Sequence, residues 1–459
     1  SYIKDRDDQE DIMESILKIF DWISGAGASV MMPIIIALLG IIMGAGAGKS
    51  IRGGLMVGVG LLGLGLATGL MGTMAEAVAA MSTRFGLSLA TIDVGWPAAA
   101  AIAMATKVGA LIIPLCLAVN VVMIIVGATQ TVDIDIWNYW HFAFTGSLIA
   151  CVTGSLALGL VAAVCNEVII LVLGDITAPD LETTLGMPGV SLPHGFTAAF
   201  VPFALLLNWI IEKIPGLKDV DFSLDGLQEK IGIFGEPVIV GFVLGLVIAI
   251  LGGYEIRAAL SCAVTLAATM VLIPRMASLL MEGLMPISDA AGDFIDKHFQ
   301  GKGKMYIGLD SAVGVGHPMT IALGLICVPI VVFLSVILPG NTVLPAVDLA
   351  VLPYIFVLVL PICKGNGFRS LIVGLVCCVL GLYIATDLAA PITSVASSIG
   401  FDMGGATSIS SICDGANPLT WFLFKLGGFG TLSIVIFAAI AVGLAVYNWL
   451  RIKKINAAE

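Results

Sequence analysis

Long apolar stretches separated by short polar segments run along this chain from about position 30 to 450. A bilayer is crossed by roughly 20 apolar helical residues. Stretches of that kind lie near 29–47, 53–81, 101–127, 142–173, 196–212, 236–252, 257–285, 318–338, 343–363, 370–387 and 429–450, which predicts eleven spans. Residues 1–28 differ. There Ile12, Ile16, Ile19, Phe20 and Ile23 share one helical face, and Asp5, Asp7, Asp8, Glu10, Asp11 and Glu14 supply the polar side, the pattern of an amphipathic interfacial helix.

The spans repeat. Leu39-Gly40, Ile51-Arg52 and Leu55 recur as Leu244-Gly245, Ile256-Arg257 and Leu260, each 205 positions on, and Pro33 and Pro237 precede the two copies at an offset of 204. Lysine and arginine give the direction, because they collect in cytoplasmic loops. With the N-terminus outside, fourteen fall in inside loops, among them Lys49, Lys213, Lys364, Arg369, Arg451, Lys453 and Lys454, and five fall outside. Pro33 opens the first span and Pro237 the sixth, so the two units enter the membrane from opposite sides. The expected fold is an all-α polytopic membrane protein of two inverted five-span repeats plus a last helix. The expected divisions are an amphipathic segment at 1–28, a first repeat with its cytoplasmic linker at 29–234, a second at 235–428, and the last helix with a cytoplasmic tail at 429–459.

Inverted repeats packed face to face enclose a site near mid-membrane, the construction of many small-solute carriers. Four stretches break the helical pattern: Asp93-Val94-Gly95-Trp96-Pro97, Leu192-Pro193-His194-Gly195, Gly308-Leu309-Asp310 through His317-Pro318, and Asp414-Gly415-Ala416-Asn417-Pro418. Irregular backbone survives at membrane depth only where protein or a water-filled cavity supplies its hydrogen bonds. These stretches are therefore expected as re-entrant hairpins or broken helices around a site.

Composition supports lipid as the solvent: 59% of residues are apolar, 12% are charged and the mean hydropathy is +1.08, against about 25% charged in a soluble domain. The net charge of −11 comes with no basic face that would bind nucleic acid. The nine cysteines show no CxxC and no histidine spacing for zinc, so neither a metal nor a cofactor is expected. Gly44 to Ser50 imitates a phosphate-binding loop, but only three residues separate its glycines where that motif needs four, and Tyr254-Glu255 replaces Lys49-Ser50 in the second repeat.

The candidate site residues follow from the breaks. Asp93, His194, Asp310, His317 and Asn417 offer hydrogen bonds, and Trp96 offers a flat apolar wall. Asp414 lies in the fourth break, Glu236 begins a span beside Pro237, and His141 follows the aromatic run Trp137-Asn138-Tyr139-Trp140, a composition common at the membrane interface. Each also has a purely structural explanation, as a helix cap or an interfacial anchor.

With these residues laid out, the chain resembles the galactitol-specific IIC components of the bacterial phosphoenolpyruvate-dependent sugar phosphotransferase system, in the ascorbate-galactitol superfamily. The likeness runs from about residue 28 to the C-terminus. It rests on Asp93 to Pro97, Asp135-Ile136-Trp137-Asn138 with Trp140-His141, Pro193-His194-Gly195, Ile211 to Gly216, Phe234-Gly235-Glu236-Pro237, Ile307 to Asp310, Pro339-Gly340-Asn341 and Pro418 to Trp421. The resemblance implies a sugar-alcohol permease of the bacterial cytoplasmic membrane, C-terminus inside, that takes a hexitol from outside and releases it inside as the phosphate. The donor would be a phosphocysteine on a separate IIB protein charged by IIA. It also implies a homodimer working by an elevator motion. Each hexitol hydroxyl costs roughly 2–7 kcal/mol to desolvate unpaired, so the pocket must be rich in donors and acceptors. Transfer to the terminal hydroxyl needs a proton acceptor, for which His194 is the first choice and Asp310 the second. The alternative is a proton- or sodium-coupled secondary transporter of a polyol or sugar, whose buried carboxylates would carry the ion.

Overall fold

The computed structural model describes residues 28–217, 219–221, 236–299, 305–315 and 317–457. The amphipathic helix expected before residue 28 and the Phe234-Gly235 part of one motif lie outside the described residues, as do Lys218, Lys230, Lys302 and Lys304. The first half of the chain holds α1 (Ala28–Ile42), α2 (Ala47–Gly69), α3 (Met71–Phe85), β1 (Thr91–Asp93), α4 (Trp96–Met104), α5 (Lys107–Ile125), β2 (Thr131–Asp133), α6 (Tyr139–Thr153), α7 (Leu156–Leu185), β3 (Val190–Ser191) and α8 (Val201–Glu212). The second holds α9 (Pro237–Leu251), α10 (Ile256–Phe299), β4 (Tyr306–Gly308), α11 (Ala312–Val315), α12 (Pro318–Ile337), β5 (Val343–Leu344), α13 (Leu352–Ile362), α14 (Gly367–Asp387), α15 (Ala389–Ser398), β6 (Ile409–Ser410) and α16 (Pro418–Gly427), after which α17 (Leu432–Asn456) closes the chain. Short 3-10 turns precede α6, α8, α13 and α16, at Ile136–Asn138, Ala198–Phe200, Val347–Val351 and Asp414–Ala416.

The breaks in the helical pattern are not frayed helix. Six short strands form two three-stranded parallel sheets, in the orders β5-β1-β6 and β2-β4-β3. Each sheet takes its central strand from one half of the chain and both edges from the other. The strands are rich in Thr, Val and Ile, which favour extended backbone. Pairing them satisfies backbone groups that nothing in a hydrocarbon layer would satisfy. The all-α expectation is thus corrected locally: the helices dominate, but the centre is built on sheet.

Five helices are long and apolar enough to cross a membrane, at Lys107–Ile125, Leu156–Leu185, Met319–Ile337, Gly367–Asp387 and Leu432–Asn456, and five shorter apolar helices accompany them among the described residues. The apolar stretch at 142–173 is not one span. Gly154 takes a left-handed conformation (φ 68°) that ends α6, and the Ser155 side chain accepts from the Leu158 N–H to start α7, so the stretch folds as a helical hairpin. The second half has the same hairpin in α13 and α14, turned at Cys363 to Asn366.

Outside the sheet-bearing body, α1, α2, α9 and α10 pack together through small residues. A Cβ at Gly53 would strike the Gly283 carbonyl oxygen, and one at Gly283 would strike that of Gly53, so both positions admit only glycine at this crossing. The 44-residue α10 is about 66 Å long at 1.5 Å per residue.

Candidate functional site

Where the parallel strands end, their chains turn away from the sheet and leave side chains around a common space. The β2-β4-β3 sheet ends in Asp133 and Asp135 from β2, Asp310 from β4 and His194 from β3. Asp133 pairs in register with Gly308, and Ser191 pairs with it from the other side. Beside this edge lies a small cavity of about 70 Å³. One wall is aromatic, with Trp96, Trp137, Trp140, Phe196 and Tyr354. The polar groups are Asn138, His141, His194 and Asp310.

The rings stand in series. Trp96 stacks on Trp140 with centroids 6.3 Å apart, Trp140 lies 4.0 Å from the His141 ring, His141 lies 4.5 Å from His194, and His194 lies 5.7 Å from Tyr354. Each histidine is held at one nitrogen. Asp414 Oδ2 lies 2.7 Å from His141 Nδ1, and both side chains are inaccessible to solvent. That contact fixes the Nδ1–H and leaves Nε2 facing the site. His194 Nδ1 accepts from the Thr197 backbone N–H at 3.2 Å, which places the ring proton on Nε2, 3.6 Å from Asp310 Oδ1. Asp310 is itself steadied by the Ala312 N–H at 2.7 Å.

The backbone that brings these groups together has its own braces. Asn417 caps α16 by accepting from the N–H groups of Leu419 and Thr420, and its Nδ2 donates to Asp414 Oδ1 and to the Gly195 carbonyl, each at 2.9 Å. Gly195 sits against His141 so closely that a Cβ there would collide with the histidine's own Cβ and ring. Glycine is the only residue that lets the β3 exit pass this side chain.

The structure therefore sorts the nine expected site residues. Trp96, His141, His194 and Asp310 line the cavity. Asp414 and Asn417 lie behind it and hold His141 and Gly195 in place. Asp93 is fully buried at the other sheet: its carboxylate accepts from Gly95, Ala346 and Asp348 backbone N–H groups, and it does not reach the cavity. Glu236 is an exposed residue ahead of α9, and His317 precedes α12; neither borders the cavity.

Asn138, Trp137, Trp140, Tyr354 and Asp348 were not among the expected site residues. The aromatic run at 137–140 does not face lipid: Trp137, Tyr139 and Trp140 are buried in the protein. Its signal was the alternation of aromatic and polar residues, which fits a sugar-binding wall as well as a headgroup belt. Among the described residues, no group of histidine, cysteine and carboxylate side chains is arranged to hold a metal ion.

The family EIIC-GAT, described as the PTS system sugar-specific permease component, matches residues 22–406. A permease IIC component of Escherichia coli (strain K12), whose name specifies no sugar, is 38% identical over 438 residues, covering 95% of this chain and all of that protein. The PTS system galactitol-specific EIIC component of the same strain is 37% identical over 410 residues, covering 89% of this chain and 90% of that protein, and the corresponding protein of Escherichia coli O157:H7 matches equally.

Proposed function

This chain belongs to the EIIC-GAT family of sugar-specific permease components of the phosphotransferase system, and from that premise we propose that it carries a hexitol, galactitol first, across the bacterial cytoplasmic membrane and releases it as the phosphate. The observation that carries the reading is the cavity itself, where one aromatic wall faces a row of polar groups that ends in His194 and Asp310. A polyol presents a carbon chain to such a wall and hydroxyls to such a row.

Asp310 is the proton acceptor in this reading. His194 Nε2 lies 3.6 Å from Asp310 Oδ1, which the Ala312 N–H holds in place, and Asp310 takes the proton of the terminal hydroxyl. That oxygen attacks phosphorus on the phosphocysteine of a separate IIB protein, the O–P bond forms and the S–P bond breaks. IIA recharges IIB. The sequence order of preference, His194 before Asp310, is thereby reversed.

The reciprocal exchange of central strands between the two sheets supports inverted repeats. So do the ion pairs at opposite ends of α14: Arg369 with Glu212 at its start, and Asp387 with Lys425 at its close. Lys364, Arg369, Lys453 and Lys454 favour the first of these ends as cytoplasmic, with the C-terminus inside and the N-terminus outside. The glycine-packed α1, α2, α9 and α10 are the natural scaffold of a homodimer against which the sheet-bearing body moves as an elevator.

The test is uptake into proteoliposomes loaded with IIA, IIB and phosphoenolpyruvate with its phosphorylating enzymes. Accumulation of the hexitol phosphate inside, absent when IIB is omitted, is expected. Uptake of unmodified polyol driven by a proton or sodium gradient without IIB would overturn the reading.

A further inference from the structure

The polar row contains groups that the transfer chemistry leaves unused. Asn138 is fully buried and borders the cavity, yet neither its Oδ1 nor its Nδ2 has a hydrogen-bond partner. His141 Nε2, three residues on, is likewise buried and unpartnered. Buried amides are almost always paired, and each orphaned atom is costly. Three such atoms on one short turn set out the hydrogen-bonding pattern that a ligand of this cavity must match.

Their chemistry is specific. Nδ2 is a donor and Oδ1 an acceptor, and His141, held by Asp414 at Nδ1, presents Nε2 as a third polar atom. A donor beside an acceptor, with a ring nitrogen close by, suits adjacent hydroxyls, each of which gives one hydrogen bond and takes another. The His141 and His194 rings are 4.5 Å apart, which brings these polar groups close to the transfer pair.

We propose that Asn138, together with His141 Nε2, is the specificity-determining element of the cavity and reads the vicinal diol adjacent to the phosphorylated end of an open-chain polyol. This rests on the permease reading above and names which part of the substrate is recognised. Asn138 takes no part in moving the phosphoryl group.

The experiment is equilibrium binding by the purified full chain in detergent, read from the tryptophan fluorescence of the cavity wall, with galactitol and its 2-deoxy analogue as probes. The wild-type protein is expected to prefer galactitol by about 10- to 100-fold. Asn138→Leu, close in volume and unable to hydrogen-bond, is expected to bind galactitol about 10- to 100-fold more weakly and to lose the preference between the two probes. Asn138→Asp, nearly the same shape, exchanges the amide donor for a second oxygen. It carries the test if the leucine variant fails to fold, with a preference at least about threefold smaller than wild type expected. A phosphorylation assay at saturating galactitol is expected to leave the maximal rate within about threefold while KM rises. Wild-type affinity and unchanged preference in the Asn138 variants would overturn this proposal alone. Failure of the wild-type protein to bind any hexitol would overturn the permease reading and this proposal with it.

Discussion

The two parallel sheets have reciprocal strand composition and opposite uses. At the β5-β1-β6 sheet, polar capacity is spent on the protein itself. Asp93 accepts from three backbone N–H groups. Asp348 accepts from Trp96 N–H at 2.6 Å, from the Ser411 hydroxyl and from Cys413 N–H, tying β5 to the exits of β1 and β6. At the β2-β4-β3 sheet the corresponding edge opens onto the cavity, and Asp133, Asn138 and His141 keep buried polar atoms without partners. One arrangement of strands gives a closed knot on one side and a binding surface on the other. A carboxylate at a sheet edge is structural or functional according to whether backbone donors or open space face it.

Removing Asp348 should break the knot and have the largest effect. Asp348→Leu takes the acceptor from the Trp96 N–H and the Ser411 hydroxyl, at about 1–3 kcal/mol each, and leaves the Cys413 N–H only its second bond to Ser411 Oγ, so the purified protein should melt far lower or lose its monodisperse elution. Asp310→Asn tests the open side. Stability should stay within about 1 kcal/mol and galactitol should still bind, while phosphorylation falls about 10²- to 10⁴-fold. Gly195→Ala drives a methyl into His141, which should cost about 1–3 kcal/mol in thermal stability and weaken substrate binding. The smallest effect is expected for Asp414→Asn, which loosens the hold on the His141 tautomer. Galactitol affinity should fall about tenfold in titration calorimetry with little change in melting. Were Asp348→Leu harmless to folding and Asp310→Asn harmless to transfer, the division between the two sheets would be wrong.

Much of this was legible before the structure. Pro33 and Pro237 with their following Leu-Gly and Ile-Arg pairs raise the expectation of a repeat, because two copies would make the same turns. The four Pro/Gly breaks mark the centre because helices do not tolerate them cheaply. The strands were hidden because two or three residues are too short to show a period. The turn at Gly154-Ser155 was hidden because the residues around it remain apolar. Asp93 and Asp310 carry the same local signature, an acid beside glycine at a helix break, and only the strand partners reveal that the first is enclosed by backbone. Asn138 lay within an aromatic run that reads as a headgroup belt until its burial is known, and Asp348 lay inside what looked like a continuous span.

A density map of the protein with galactitol bound tests the central claim most directly. The account predicts a linear polyol against Trp96 and Trp140, its terminal hydroxyl about 3 Å from Asp310 and Asp93 undisturbed in its backbone cage. A polyol lodged among α1, α2, α9 and α10, or bound by Asp93 and out of reach of the His194–Asp310 pair, would contradict it.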